Sequence, residues 1–314
     1  MKLLLIPALL LSMGVHAEVT NQSETKVENK EGKKTDKADQ LITNRRFRAS
    51  NGSLSNFSLN TNLSYNGGSL TKPLAADRPN ISNAGDTTSI AGMSGTLNTS
   101  YRLNTLNRLS LGVGVQMLAP FNSTIDTSDP RAEAEFDKNQ GNLDVNNPTL
   151  TYTHMNKFFG VQTIVSVGMT EFTAGNFRDV GYQRSANLSV NTMYEFGKTG
   201  FSAGALVVGN RYFFDKDDEA LLGSQNETVF GLLPQAEYVI NDTFNLRTII
   251  RSNWYQNNRA ERRSKYLTRP VTQSVGLGIS LSRNIFLYPN IQFAYDNLQA
   301  SNTNVGFSAN INMF

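Results

Sequence analysis

The stretch Ala186-Asn187-Leu188-Ser189-Val190-Asn191-Thr192-Met193-Tyr194-Glu195-Phe196 decides the fold. Ala186, Leu188, Val190, Thr192, Tyr194 and Phe196 fall on one side of an extended chain, with Asn187, Ser189 and Asn191 on the other. A period of two marks a strand whose faces meet different surroundings. The polar side is small and uncharged. The apolar side ends in two aromatics, and Gly197-Lys198-Thr199-Gly200 follows as a turn.

The same unit recurs from residue 54 to the C-terminus. Phe57, Leu59, Thr61, Leu63 and Tyr65 oppose Ser58, Asn60, Asn62 and Ser64, while Leu109, Leu111, Val113, Val115 and Met117 oppose Ser110, Gly112, Gly114 and Gln116. Further runs occupy residues 91–101, 145–154, 161–169, 201–213, 230–240, 244–254, 271–281, 285–295 and 305–313, the run at 145–154 being the weakest. Together they predict about twelve strands.

A soluble sandwich also alternates, so two further regularities decide. Tight connections at 104–107, 156–158, 197–200, 241–243 and 282–284 take turns with longer ones at 66–87, 122–144, 171–184, 215–228, 256–269 and 297–302. Aromatics collect at strand ends. Phe57, Tyr101, Tyr194, Phe196, Phe201, Tyr238 and Phe244 lie near the tight turns, and Tyr65, Phe121, Phe213, Trp254 and Tyr295 lie near the long loops. Two such belts suit the two interfaces of a bilayer, where a ring buries its body and keeps its edge wet.

In these respects residues 54–314 resemble the porin-like class of bacterial outer-membrane β-barrel proteins. The resemblance implies an all-β fold: a closed antiparallel transmembrane β-barrel with short periplasmic turns and longer extracellular loops, integral to the outer membrane of a Gram-negative bacterium. It implies contact with outer-membrane lipid and lipopolysaccharide. It also implies recognition by the barrel-assembly machinery through a last strand ending in Phe314. One departure concerns that strand, whose apolar residues Val305, Phe307, Ala309, Ile311 and Met313 are out of phase with Phe314. Pro234 and Pro289 fall on the lipid-facing side within strands, and local bulges are expected at both.

The N-terminus divides into three domains with the barrel. Lys2, the apolar stretch 3–15 and Val15-His16-Ala17 have the parts of a secretory signal, cut after Ala17, rather than of a buried helix. Residues 18–50 mix Lys and Glu with few apolar residues and read as a polar, disordered periplasmic arm. Its end, Arg45-Arg46-Phe47-Arg48, reads as solvated linker, with contact to anionic headgroups or entry into the barrel mouth as a plug as the other readings. Residues 51–314 form the barrel. The chain has no cysteine, which removes disulfide, thiol and thiolate-metal chemistry, and its net charge of +3 in a nearly balanced composition does not point to nucleic acid.

If the apolar face meets lipid, the small-polar face lines a wet lumen. Its charged exceptions are Glu195, Glu237, Arg247 and Arg251. Glu237 and Arg247 flank the turn at Asn241 and are placed to pair across the hairpin, which is a structural role before a selective one. Arg251 lies deeper and is the candidate for tuning selectivity. Tyr212, Tyr255 and Tyr288 share the lumen side and either stack on a solute or fill space. Arg259, Arg262, Arg263, Lys265 and Arg269 make one loop basic, so they either contact lipopolysaccharide phosphates and other anions or remain solvated.

No catalytic or metal-ligating constellation and no cofactor is expected. The mature chain offers only His154 as a base, on the lipid-facing side beside a turn, and no G-x-S-x-G or H-E-x-x-H occurs. Two functions remain. The first is a channel for passive or weakly selective diffusion of small hydrophilic solutes. The second is a structural or adhesive barrel with a closed lumen, whose charged loops bind a partner or lipopolysaccharide.

Overall fold

The computed structural model describes residues 36–84, 88–121, 143–215, 226–257 and 265–313. Among them, twelve long strands run in chain order: β1 (Phe57–Ser69), β2 (Gly92–Arg102), β3 (Asn107–Leu118), β4 (Leu143–Phe158), β5 (Val161–Glu171), β6 (Tyr182–Glu195), β7 (Phe201–Phe214), β8 (Asn226–Val239), β9 (Phe244–Asn257), β10 (Thr272–Ser282), β11 (Ile285–Ala294) and β12 (Asn304–Asn312). Each pairs antiparallel with its sequence neighbour, and β1 pairs with β12 through Asn60↔Asn312 to Ser69↔Asn304. The ring therefore closes and leaves no long strand with an open edge.

The expected facing holds. Leu97, Leu111, Leu150, Val167, Leu188 and Leu246 point outward and are exposed, while Ser58, Asn60, Ser100, Ser185, Ser202 and Ser274 point inward and are buried. A surface of exposed leucines and valines around a polar interior is the reverse of a soluble protein and is stable only in hydrocarbon. The short-turn belt of aromatics is in mutual contact, with ring centroids 4.8 Å apart for Phe57–Tyr101, 5.0 Å for Tyr194–Phe196 and 5.4 Å for Phe196–Phe201. At the loop end, Phe230 and Trp254 lie 5.7 Å apart. Tyr65 departs from its expected belt position: only 8% exposed, it lies under Phe121.

The weak fourth run is the longest strand, and its weakness has a cause. Asn147 adopts φ +51°, and the register between β3 and β4 shifts between Gly112 and Gly114. The outward residues change parity there, from Leu143 and Val145 before it to Leu150 and Tyr152 after it, so no single alternation fits the whole strand. β4 also runs on to Phe158, which moves its turn to Phe159-Gly160, both at positive φ as a two-residue hairpin requires.

The bulges expected at Pro234 and Pro289 are absent. Pro234 keeps its place opposite Ala205, and Leu232↔Ser252 and Gln235↔Ile249 stay in one register on the other side. Pro289 likewise faces Phe307, and the β10–β11 register is unchanged across it. A strand residue donates its N–H to one neighbour only, so a proline drops one rung without forcing an extra residue into the strand. The bulges lie instead at 66/69, 112/114, 182/184, 226/228 and 280/282. Met313 ends the described chain on the outward, exposed side, and the phase of Phe314 lies outside the described residues.

Residues 36–50 are not the disordered end of an arm. They form helices α1 (Lys37–Leu41) and α2 (Arg45–Ser50), with Ala38, Ile42, Phe47 and Ala49 buried. Residues 18–35 of the expected arm and the signal at 1–17 lie outside the described residues.

Candidate functional site

The polar face of the barrel meets α1 and α2 inside the lumen at the short-turn end. Each helix has its own start signal. Asp36 accepts from the Ala38 N–H at 2.8 Å, and Asn44 accepts from the Phe47 N–H at 3.1 Å. Helices of five and six residues do not persist alone, so the wall holds them. Ala38, Ile42 and Phe47 pack on Met155, Ile164 and Met193 of β4, β5 and β6. On the other flank Ala49 packs on Phe286 and Tyr288 of β11. Burying Ile42 and Phe47, at 1% and 0% exposure, contributes about 1.5–3 kcal/mol each.

Polar ties run around nearly the whole circumference. Arg102 of β2 donates to Asp36 at 2.7 Å and to the Leu54 carbonyl at 2.7 Å. Arg283, in the β10–β11 turn, donates from Nε and Nη2 to the Asp39 carboxylate at 2.8–3.1 Å. Gln162 of β5 accepts from the Thr43 and Asn44 N–H groups, both at 2.8 Å, and Thr43 Oγ1 donates to Glu195 of β6. Asn312 of β12 donates to the Ala49 carbonyl at 2.6 Å. The chain then leaves over β3. Gly52 stands at φ +84°, a left-handed conformation that favours glycine, and Arg108 Nη1 packs against it.

Glu237 of β8 is the centre of the fastening, its side chain 1% exposed. Arg46 Nε and Arg247 Nε each approach its Oε1 at 3.2 Å, and Asn44 Nδ2 donates to Oε2 at 2.8 Å. Gln235 Oε1 accepts from Arg46 Nη2 at 2.9 Å and from Arg247 Nη2 at 3.3 Å. The cross-hairpin pair read from the sequence is present, with Glu237 opposite Arg247 in the ladder. What the sequence did not reveal is the third member, Arg46, which arrives from 191 residues away.

The remaining candidate residues sort by position. Glu195 lines a cavity of about 300 Å3 with Thr43, Arg45 and Glu237 at the turn end. Tyr288, 2% exposed, donates to the Arg247 carbonyl at 3.1 Å and lies under the Arg247 guanidinium, so it fills space beneath α2. Tyr212 packs with Phe172 and Tyr182 in an aromatic cluster at the loop end, its ring centroid 5.2 Å from that of Tyr182. Arg269 stacks on Tyr255 at 5.5 Å. Arg251 is partly buried on β9, and its Nη1 finds no hydrogen-bond partner among the described residues. Lys265 is exposed, whereas Arg259, Arg262 and Arg263 lie outside the described residues. His154 approaches Asn107 Oδ1 at 2.8 Å beside the β2–β3 turn, on the outward side.

Sequence reasoning missed Arg102, Arg108, Gln162, Gln235, Arg283 and Asn312. The signal was available in part: Arg102 and Arg108 share the parity of Ser100 and Ser110 and face each other in the β2–β3 ladder. They stood at or beyond the ends of the runs that were read for alternation. Gln162 sits on the inward side of β5 at 0% exposure, which only a buried partner explains.

Asp36 gives this arrangement a pH dependence. The Arg102 hydrogen bond, more than any other influence, holds its carboxyl below the ordinary 3.8. A depressed carboxyl pKa supports the docked state above the ordinary value and loses that support as pH falls through the lowered one. Lowering the pH from 7 to well below 3.8 is therefore expected to loosen the start of α1. At pH 7, where only the unaltered chain carries this charge, trypsin is expected to cut at Lys37 faster in Asp36→Asn than in the unaltered chain, and equal rates there would contradict this.

No protein-family model matches this sequence, and no curated protein matches it. Solved structures do match in architecture. An outer-membrane channel from Pseudomonas putida F1 superposes with a TM-score of 0.50 at 12% identity, over 83% of this chain and 97% of that one. The NanC porin superposes with a TM-score of 0.45 at 9% identity, over 82% and 100%. At such identity the likeness is one of fold. With the apolar belt, it gives the chain the fold of an outer-membrane β-barrel, integral to the membrane.

Proposed function

We propose that the chain forms an aqueous channel for small hydrophilic solutes, closed at its periplasmic end by residues 36–54. The observation that carries this reading is the division of the lumen. Below, α1 and α2 are bound to the wall by a buried and a partly buried ion pair and an apolar cluster. Above them the wall is small and polar, and a cavity of about 240 Å3 remains between the plug and the strands, lined by groups such as Asn60, Asn62, Thr96 and Thr151. A barrel meant to stay solid would fill that space with side chains. A hydrated stub above a separable plug suits a conduit with a stopper. A permanent stopper supports the second reading instead, a closed barrel acting through its loops.

Single-channel recording in planar bilayers separates the two. The full mature chain is expected to be silent or to flicker, and a chain beginning at Ser55 is expected to give stable discrete steps. Silence from both, in protein shown to be folded, contradicts the channel and leaves the closed barrel.

A further inference from the structure

The residues that join the plug to the barrel cross the one junction that closes it. Each long strand pairs with its successor in the chain, and only the pairing of β12 with β1 joins the two ends of the sheet. Residues 49–54 lie across that seam at the short-turn end, and their carbonyls are taken from both sides. On one side Asn312 Nδ2 of β12 donates to the Ala49 carbonyl at 2.6 Å, and Arg283 Nη1 of the β10–β11 turn donates to the Gly52 carbonyl at 3.0 Å. On the other, Arg108 Nη2 of β3 donates to the Ser53 carbonyl and Arg102 Nη1 of β2 to the Leu54 carbonyl, both at 2.7 Å. Asn312 and Arg108 are 4% and 5% exposed, so their bonds to this strap are made away from water, where leaving them unmade is costly.

Chain geometry makes the strap incompatible with an open sheet. Twelve strands about 4.8 Å apart would set the edges of a flat sheet roughly 50 Å from each other. Only residues 51–56 separate α2 from β1, a reach of at most about 25 Å. Ala49 of α2 packs on Phe286 and Tyr288 of β11. Once α2 is seated there, β1 is held beside β12. Pairing across the seam, as between Ser64 and Ser308, then no longer has to bring together residues 244 apart in a free chain. A short tether closes at a smaller entropic cost than a long one and raises the local concentration of the two edges.

We propose that residues 49–54 are a clasp for the barrel seam: α2 seats on β11 and β12, and the strap draws β1 onto β12 to close the ring. This assembly role is separate from stoppering the lumen and stands whether or not the closed barrel conducts.

Disulfide trapping during refolding tests it. Ser64 Oγ and Ser308 Oγ lie 3.0 Å apart across the seam, and the chain has no cysteine, so Ser64→Cys with Ser308→Cys reports seam pairing alone. The pair is placed in the full mature chain, in a chain beginning at Ser55, and in a chain with a flexible Gly/Ser stretch of about twelve residues inserted between Gly52 and Ser53. The insertion keeps every side chain of the plug and slackens only the strap. During refolding into detergent micelles under a mild oxidant, both altered chains are expected to form the disulfide at least about tenfold more slowly than the full chain, to the same final yield. An unslowed rate in either altered chain overturns the clasp and makes the contacts of residues 49–54 a consequence of closure. Should an altered chain fail to fold, Arg108→Gln decides, since it loses only the Ser53 tie. It is expected to be slowed by less, and a rate equal to that of the full chain overturns the clasp.

Discussion

Glu237→Ala is expected to release the plug while the barrel stays closed and folded. The carboxylate balances Arg46 from α2 and Arg247 from β9, whose side chains are 9% and 8% exposed, and it also accepts from Asn44, the cap of α2. Its removal leaves two guanidinium groups facing each other in a nearly dry site. Removing one partner of a buried ion pair costs about 3–5 kcal/mol. The strands cannot relieve this, because Arg247 is fixed in the ladder opposite position 237. The plug can, by carrying Arg46 out to water. Much of the penalty therefore appears as undocking of residues 36–54 and little of it as loss of the barrel. Trypsin reads the difference directly: Arg46 and Arg48 are expected to be protected in the unaltered chain and to be cut rapidly in Glu237→Ala, with the barrel fragment intact. Glu237→Gln keeps an acceptor for Asn44 without the charge, and its cleavage rate is expected to fall between the two. Continued protection of Arg46 in Glu237→Ala would show that the apolar contacts of Phe47 and Ile42 suffice to hold the plug.

The barrel was legible in the sequence because a membrane strand meets lipid on one face and water on the other, and residues 186–196 show both faces without interruption. Where one bulge intervenes, as at Asn147, the same rule gives a weak signal for a long strand. The prolines misled because a missing rung was taken for an added residue. The plug was legible only as a secondary reading of residues 45–48, and the reason is physical. A solvated arm and a docked one differ in what their charges touch, and those partners are far away in the chain: Arg102 for Asp36, Arg283 for Asp39, Glu237 for Arg46. The short apolar set Ala38, Ile42 and Phe47 is too sparse to announce a core, because most of that core is supplied by Met155, Ile164 and Met193 of the wall. Glu237 and Arg247 could be paired from the hairpin alone, since a ladder is local. Arg108 could not be singled out, because it differs from Arg102 and Arg283 in having a backbone carbonyl rather than a carboxylate as partner among the described residues.

Closure of the pore by residues 36–54 is tested most directly by tethering the plug and releasing it during one recording. The chain has no cysteine, so Asp39→Cys with Arg283→Cys gives a unique pair where the structure has a bidentate ion pair spanning 2.8–3.1 Å. The substitutions remove that tie and the Arg48–Asp39 contact with it, so the untethered double variant is expected to open in bursts. Joining the two thiols through a short, reducible linker is expected to abolish the current, and reduction in the bilayer is expected to restore it. Current from the fully linked protein equal to that of the chain beginning at Ser55 would contradict closure by the plug.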